Sequence, residues 1–119
     1  MSDRQLNLDN EEKKEGEIEE VKVDSSKEFQ TGYLYVRNEQ SMKTTIKAGV
    51  KRSFYITVAE NYNVVSGGIW VITPGGWDVH TIDSYPVGSR QWWFGLRNDS
   101  DKDQKFYLYA VALRFVNVG

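Results

Sequence analysis

From residue 32 onward, short runs of apolar and β-branched side chains alternate with polar ones, and each run ends in residues that favour turns. This pattern predicts strands over 33–37, 43–47, 53–58, 64–72, 77–84, 91–97 and 105–118. The breaks fall at Asn38, Ala48-Gly49, Asn61-Tyr62-Asn63, Thr73-Pro74-Gly75-Gly76, Pro86-Val87-Gly88 and Asn98-Asp99-Ser100-Asp101. Period two is clearest in the middle of the chain. Phe54, Ile56 and Val58 share one face with Tyr55 and Thr57 opposite, and Trp92, Phe94 and Leu96 oppose Trp93, Gly95 and Arg97. The run 105–118 differs, because Tyr107, Tyr109, Val111, Leu113 and Phe115 line one face while Phe106, Leu108, Ala110 and Ala112 line the other. A strand apolar on both faces is either central and covered on both sides, or its outer face meets a subunit, a ligand or another part of the chain. About seven strands at this spacing predict an all-β fold, an antiparallel β-sandwich or jelly-roll-like single domain with a charged N-terminal arm.

The arm is residues 1–28 and the sandwich 29–119. The first 28 residues carry ten acidic and five basic side chains, a net of −5, whereas the remainder is +3. So polar a segment predicts a flexible arm, with too little apolar surface to offset the entropy of ordering. Within it, 5–9 and 17–24 alternate as strands do, so Leu6, Leu8, Ile18, Val21 and Val23 are candidates to add to a sheet edge of this chain or a neighbour. Opposite charges on arm and body favour that docking.

At 119 residues the chain holds one core. Its 13% aromatic content, with four Trp and seven Tyr, is that of a β-rich protein. Cysteine is absent, which excludes disulfides, thiolate zinc sites and a cysteine nucleophile. Neither an apolar leader nor a membrane-length run occurs, so no signal peptide and no transmembrane segment are expected, and an extracellular or surface setting would need another route or prior trimming. The small, scattered positive charge of the body argues against nucleic acid as a partner.

Residues 64–113 contain Val64-Val65-Ser66-Gly67-Gly68, Ser84-Tyr85-Pro86, Trp92-Trp93, Arg97-Asn98-Asp99-Ser100 and Tyr109-Ala110-Val111. The series resembles a pattern of small bacterial β-sandwich proteins, often exported: V-x-G-G, S-x-P, Trp, Asn before a polar loop, then Y-A-V followed by Cys. Ala112 stands where that Cys would be, and no partner Cys lies upstream. The resemblance implies a sandwich and no defined activity. The same residues read bottom-up as a bulge or close strand approach at Gly67-Gly68, a turn at Pro86 and a polar hairpin loop at 98–101.

Candidate chemistry is sparse. His80 is the sole histidine, and with Asp78 or Asp83 and a serine it could form a triad, although such a spacing on an exposed strand arises readily by chance. Asp99, Asp101 and Asp103 imitate the start of a calcium loop, but Gln104 and Ala110 occupy the positions where that loop needs Gly and Glu. Asn98-Asp99-Ser100 forms a glycosylation sequon. No metal, cofactor or catalytic residue is therefore expected. Trp70, Trp77, Trp92, Trp93, Tyr62 and Tyr85 are the stronger lead, since aromatic rings that leave the core can stack on a sugar or enter a lipid headgroup region. Trp92 and Trp93, being adjacent, must point to opposite faces.

Three readings follow. The first is a non-enzymatic building block of a surface or structural assembly such as a filament, coat, shell or phage structure. In it, the arm and the outer residues Tyr107 and Tyr109 contact neighbouring subunits of a homo-oligomer or larger assembly. The second is a carbohydrate-binding module using exposed Trp and Tyr, and the third a membrane-active toxin inserting Trp77, Trp92 or Trp93.

Overall fold

The computed structural model describes residues 18–73 and 78–116 and forms an all-β sandwich. Among the described residues nine strands run in chain order: β1 Ile18–Glu20, β2 Val23–Thr31, β3 Leu34–Ser41, β4 Thr44–Ile46, β5 Lys51–Thr57, β6 Asn63–Val71, β7 Val79–Val87, β8 Gln91–Asn98 and β9 Gln104–Phe115. One sheet has the order β1-β5-β8-β7. In the other, β9 is central, flanked by β3 and β4 on one side and by β6 on the other, with β2 outside β3. All pairings are antiparallel except that of β1 with β5.

The alternation read from the sequence sets the core. Phe54, Ile56, Phe94 and Leu96 point inward from the first sheet and meet Ile46, Phe106, Leu108, Ala110 and Ala112 from the second, all of them buried. Phe54 and Phe106 join the layers edge to face, with ring centroids 5.0 Å apart. Each such large side chain contributes about 1.5–3 kcal/mol through removal from water.

Strand β9 resolves the alternatives for a strand apolar on both faces. It is central, its even-numbered residues from Phe106 to Ala112 are buried, and its odd-numbered face is only half-buried. Its neighbour on one edge is spliced from two pieces. β4 pairs with residues 104–106 and β3 with 109–115, and in the gap the buried Ser41 hydroxyl accepts the Leu108 N–H at 2.8 Å. A backbone donor that the ladder leaves over is thereby satisfied.

Two local expectations change. The turn expected at Pro86 comes later, at Gly88 (φ 70°), so Pro86 lies inside β7. There it is tolerated because β7 is an edge strand, paired with β8 alone. Strand β2 was not anticipated. Its sequence VDSSKEFQT is polar because both of its faces are largely exposed. Of the segment read as an arm, residues 18–20 lie in β1 and 23–28 in β2, paired within the chain, and β2 runs through the expected boundary at 28/29. Residues 1–17 lie outside the described residues.

Candidate functional site

The predicted catalytic and metal groups do not converge. His80 lies 3.5 Å from an Asp99 oxygen, and Asp99 takes two 3.0 Å hydrogen bonds from Arg97 Nε, so the imidazole meets an ion pair and not a hydroxyl. Asp103 turns away to accept the Ala48 N–H at 3.0 Å. Among the described residues no three potential ligands come together to hold a metal, so Asp99, Asp101 and Asp103 do not form the calcium-like cluster their spacing allowed.

The sequon is closed by its own asparagine. Asn98 is fully buried, and its amide nitrogen donates to the carbonyls of Ile46 and Lys102, each at 3.0 Å. Its carbonyl oxygen accepts from the Ser100 N–H at 3.0 Å and the Ser100 hydroxyl at 2.7 Å. Both amide hydrogens are committed, so no sugar can be attached to Asn98 in the folded chain.

The six aromatic candidates separate. Trp92 points inward against Gly67 and donates from Nε1 to the Ser84 hydroxyl at 2.8 Å. Trp93 faces out on the first sheet between Tyr55 and Tyr85, at centroid distances of 5.4 and 6.4 Å, and its Nε1 donates to Gln91. Tyr55 joins this row although the sequence did not single it out, because its strand neighbours disguise it as an ordinary surface residue. Trp70 is 56% exposed on the outer face of the second sheet, 5.9 Å from Tyr107. Trp77 lies outside the described residues.

Tyr62 is buried, in a charged cluster that ties edge strand β2 to the sandwich. Its hydroxyl donates to Glu28. Arg37 binds Glu39 through Nε at 2.7 Å, Glu28 through Nη1 at 3.1 Å and the Ser26 hydroxyl through Nη2 at 2.9 Å. The carboxylate of buried Glu39 also accepts the Ala59 N–H at 3.1 Å. Arg114 stacks over both Tyr35 and Tyr62. The Tyr62 hydrogen bond, reinforced by Arg37, lowers the Glu28 carboxyl below its ordinary 4.5, while burial and the bond to Glu28 raise the Tyr62 hydroxyl above 10.0. A lowered carboxyl contributes stability that is complete above pH 4.5 and lost as pH falls through the lowered value. A raised phenol contributes stability that is complete below pH 10.0 and lost as pH rises through the raised value. Melting temperature followed from about pH 5 to 3 should therefore fall more steeply for the native chain than for Glu28→Gln, and equal slopes would refute the role given to Glu28.

Of the assembly candidates, Leu6 and Leu8 lie outside the described residues. Val21 is buried in this chain's own core, where its N–H bonds Tyr55 O at 2.8 Å, and Val23 packs partly against the same core. Ile18 remains exposed, and Tyr107 and Tyr109 lie half-buried on the outer face of the second sheet.

That outer face has two ends. Rows of residues side by side across its strands are given by the register: Leu34 with Phe115, then Phe29, Val36 and Leu113. Next come Lys27, Asn38, Val111 and Ser66, followed by Ser25, Gln40, Tyr109 and Gly68, and finally Tyr107 beside Trp70. The first two rows make an apolar patch, with Phe29 52% and Phe115 76% exposed. The later rows mix amide, hydroxyl and aromatic groups around a shallow cavity of 260 Å³. The sequence pointed to β9's outer face but not to Phe29, isolated in a polar strand, nor to the pairing that brings it beside Val36.

The profile of a family described as YjdH matches residues 20–112, which span β2 to β8 completely and most of β9. No curated protein matches the chain. Among solved structures, the R1 pyocin fibre of P. aeruginosa (C-terminal residues 323-701) is similar with a TM-score of 0.47 and 8% identity. The alignment covers 77% of this chain and 28% of that one, so this chain spans little more than a quarter of its length.

Proposed function

The chain belongs to the YjdH family, and from that premise we propose that it is a non-enzymatic building block of a larger surface or structural assembly, made through contacts between copies of the sandwich. The observation that carries this reading is the apolar end of the second sheet's outer face, where Phe29, Leu34, Val36, Leu113 and Phe115 lie side by side with two phenylalanines more than half exposed. A contiguous patch of that kind is costly to leave in water and is characteristic of surfaces that meet another molecule. Burying the two phenylalanine rings and the three aliphatic side chains in a self-complementary contact supplies the apolar centre of an interface, with Thr31 and Asn63 at its rim. Residues 1–17 carry six acidic and three basic side chains, a charge opposite to the body's, which supports their docking on a neighbouring copy.

Light scattering over a concentration series gives the test. The full chain is expected to exceed its monomer mass of 13.7 kDa, and Phe29→Ser with Phe115→Ser to return it to that mass with the fold intact. Deleting residues 1–17, which leaves β1 and β2 in place, should weaken the assembly. A full chain that stays monomeric throughout the series overturns the reading.

A further inference from the structure

At the other end of the same face, we propose a carbohydrate-binding groove in which Tyr109 forms the floor for a pyranose ring and Ser25, Lys27, Asn38 and Gln40 bind its hydroxyl groups. This goes beyond the assembly proposed above and rests on different residues.

The cavity is lined by Tyr109 and by β2 and β3 at 25–27 and 38–40, where Ser25, Lys27, Asn38 and Gln40 share the outer face with Tyr109 and Ser26 and Glu39 lie on the inner one. Ser25, Lys27 and Asn38 are exposed and Gln40 is half-buried, so a hydroxyl, an ammonium and two amides ring one aromatic side chain. That combination fits sugars: the C–H face of a pyranose covers an aromatic ring, while amides donate and accept along its rim. Glu39 lies between Asn38 and Gln40 in sequence, yet its carboxylate is turned through the sheet to Arg37 and the Ala59 N–H. Among the described residues that line it, Lys27 is therefore the one whose charged side chain faces the cavity, and a neutral sugar, or one bearing a carboxylate, meets no repulsion from them.

The groove has room to extend. On the far side of Tyr109 its row ends at Gly68, where a Cβ would meet nothing within 4 Å, so no side chain walls off that direction. Tyr107 stands one step along β9, about 7 Å away by strand geometry, with Trp70 beside it at 5.9 Å. Tyr109, Tyr107 and Trp70 thus form an aromatic track on which consecutive sugar units can rest, and the site suits an oligosaccharide better than a single sugar. The Tyr55–Trp93–Tyr85 row on the opposite sheet is the weaker candidate. There the Tyr55 and Trp93 rings stack on one another at 23°, so their faces are spent on each other.

Calorimetry and tryptophan fluorescence would be recorded with hexasaccharides of glucose, mannose, galactose and N-acetylglucosamine and with oligogalacturonate. Both the native chain and the Phe29→Ser, Phe115→Ser chain serve as the protein, so a failure of assembly leaves this result readable. At least one probe is expected to bind saturably. Its affinity should fall at least tenfold in Tyr109→Ala and severalfold in Gln40→Met, and be unchanged in Tyr85→Ala on the other sheet. Loss on Lys27→Met confined to oligogalacturonate would identify the ammonium as a carboxylate partner. Melting curves check that Tyr109→Ala is folded, and Gln40→Met removes a donor without removing a ring. Absence of saturable binding to every probe, or binding that Tyr109→Ala and Gln40→Met both leave intact, overturns the proposal.

Discussion

Asn98→Ala is expected to lower the free energy of unfolding by about 2–4 kcal/mol, a large loss for one uncharged polar side chain. The side chain it removes ties two segments to the end of β8: the end of β4 through Ile46 O, and the β8–β9 loop through Ser100 and Lys102 O. Alanine takes the Asn98 donor from the buried Ile46 carbonyl and the acceptor from the Ser100 N–H, while Lys102 O keeps the Ser100 hydroxyl, and unsatisfied buried groups cost more than the hydrogen bonds they replace. Asn98→Asp separates this account from a simple packing effect. The shape is kept and Oδ1 can still accept from Ser100, but an ionised carboxylate would face two carbonyl oxygens. The variant should be at least as unstable as Asn98→Ala at neutral pH and recover as acidification restores a proton to donate. Denaturant unfolding of both at two pH values checks this, and an Asn98→Ala loss below about 1 kcal/mol would show that the loop is held by other means.

Gly67→Ala is expected to cost about 1–3 kcal/mol, whereas Gly68→Ala should change stability little. A Cβ at Gly67 would stand 2.3 Å from Trp92 Cδ1, far inside contact distance, while one at Gly68 meets nothing. The indole cannot simply step aside, because its Nε1 is tied to Ser84. The steric account predicts that adding Trp92→Leu makes Gly67→Ala nearly harmless, so a double-mutant cycle should give a coupling of about 1 kcal/mol or more. Additive losses would show that the glycine is needed for backbone freedom and not for room.

Strands β5, β8 and β9 were legible in the sequence because each has one face in the core, and a buried face imposes period two on its residues. The run Phe54-Tyr55-Ile56 and the run Trp92-Trp93-Phe94 show this directly. Strand β2 was illegible for the complementary reason: an exposed edge strand needs backbone pairing but no apolar face, so VDSSKEFQT carries no period to read. The stretch read as one alternating strand over 17–24 is, in its described residues, divided between two sheets, since Ile18–Glu20 pairs with β5 and Val23 begins the partner of β3. The candidate sites were half visible. Tyr109 was marked by its strand, but the amides facing it come from β3 and β2, and only the register between β9, β3 and β2 assembles them. The same holds for Phe29, whose significance depends on Val36 and Leu113 lying beside it.

The central place of β9 also bears on how the chain is made. It follows every other strand in the sequence, yet β3, β4 and β6 all pair with it. A nascent chain that has not yet released residues 104–115 therefore has the β2–β3 hairpin but no second sheet, and the inner faces of β5 and β8 have nothing to pack upon. Folding must wait for that segment to leave the ribosome, and the unpaired strand edges exposed until then are where chaperones or early self-association would act. A ribosome stalled so that residue 103 is the last to emerge should hold a protease-sensitive chain, and one stalled a dozen residues later a resistant sandwich.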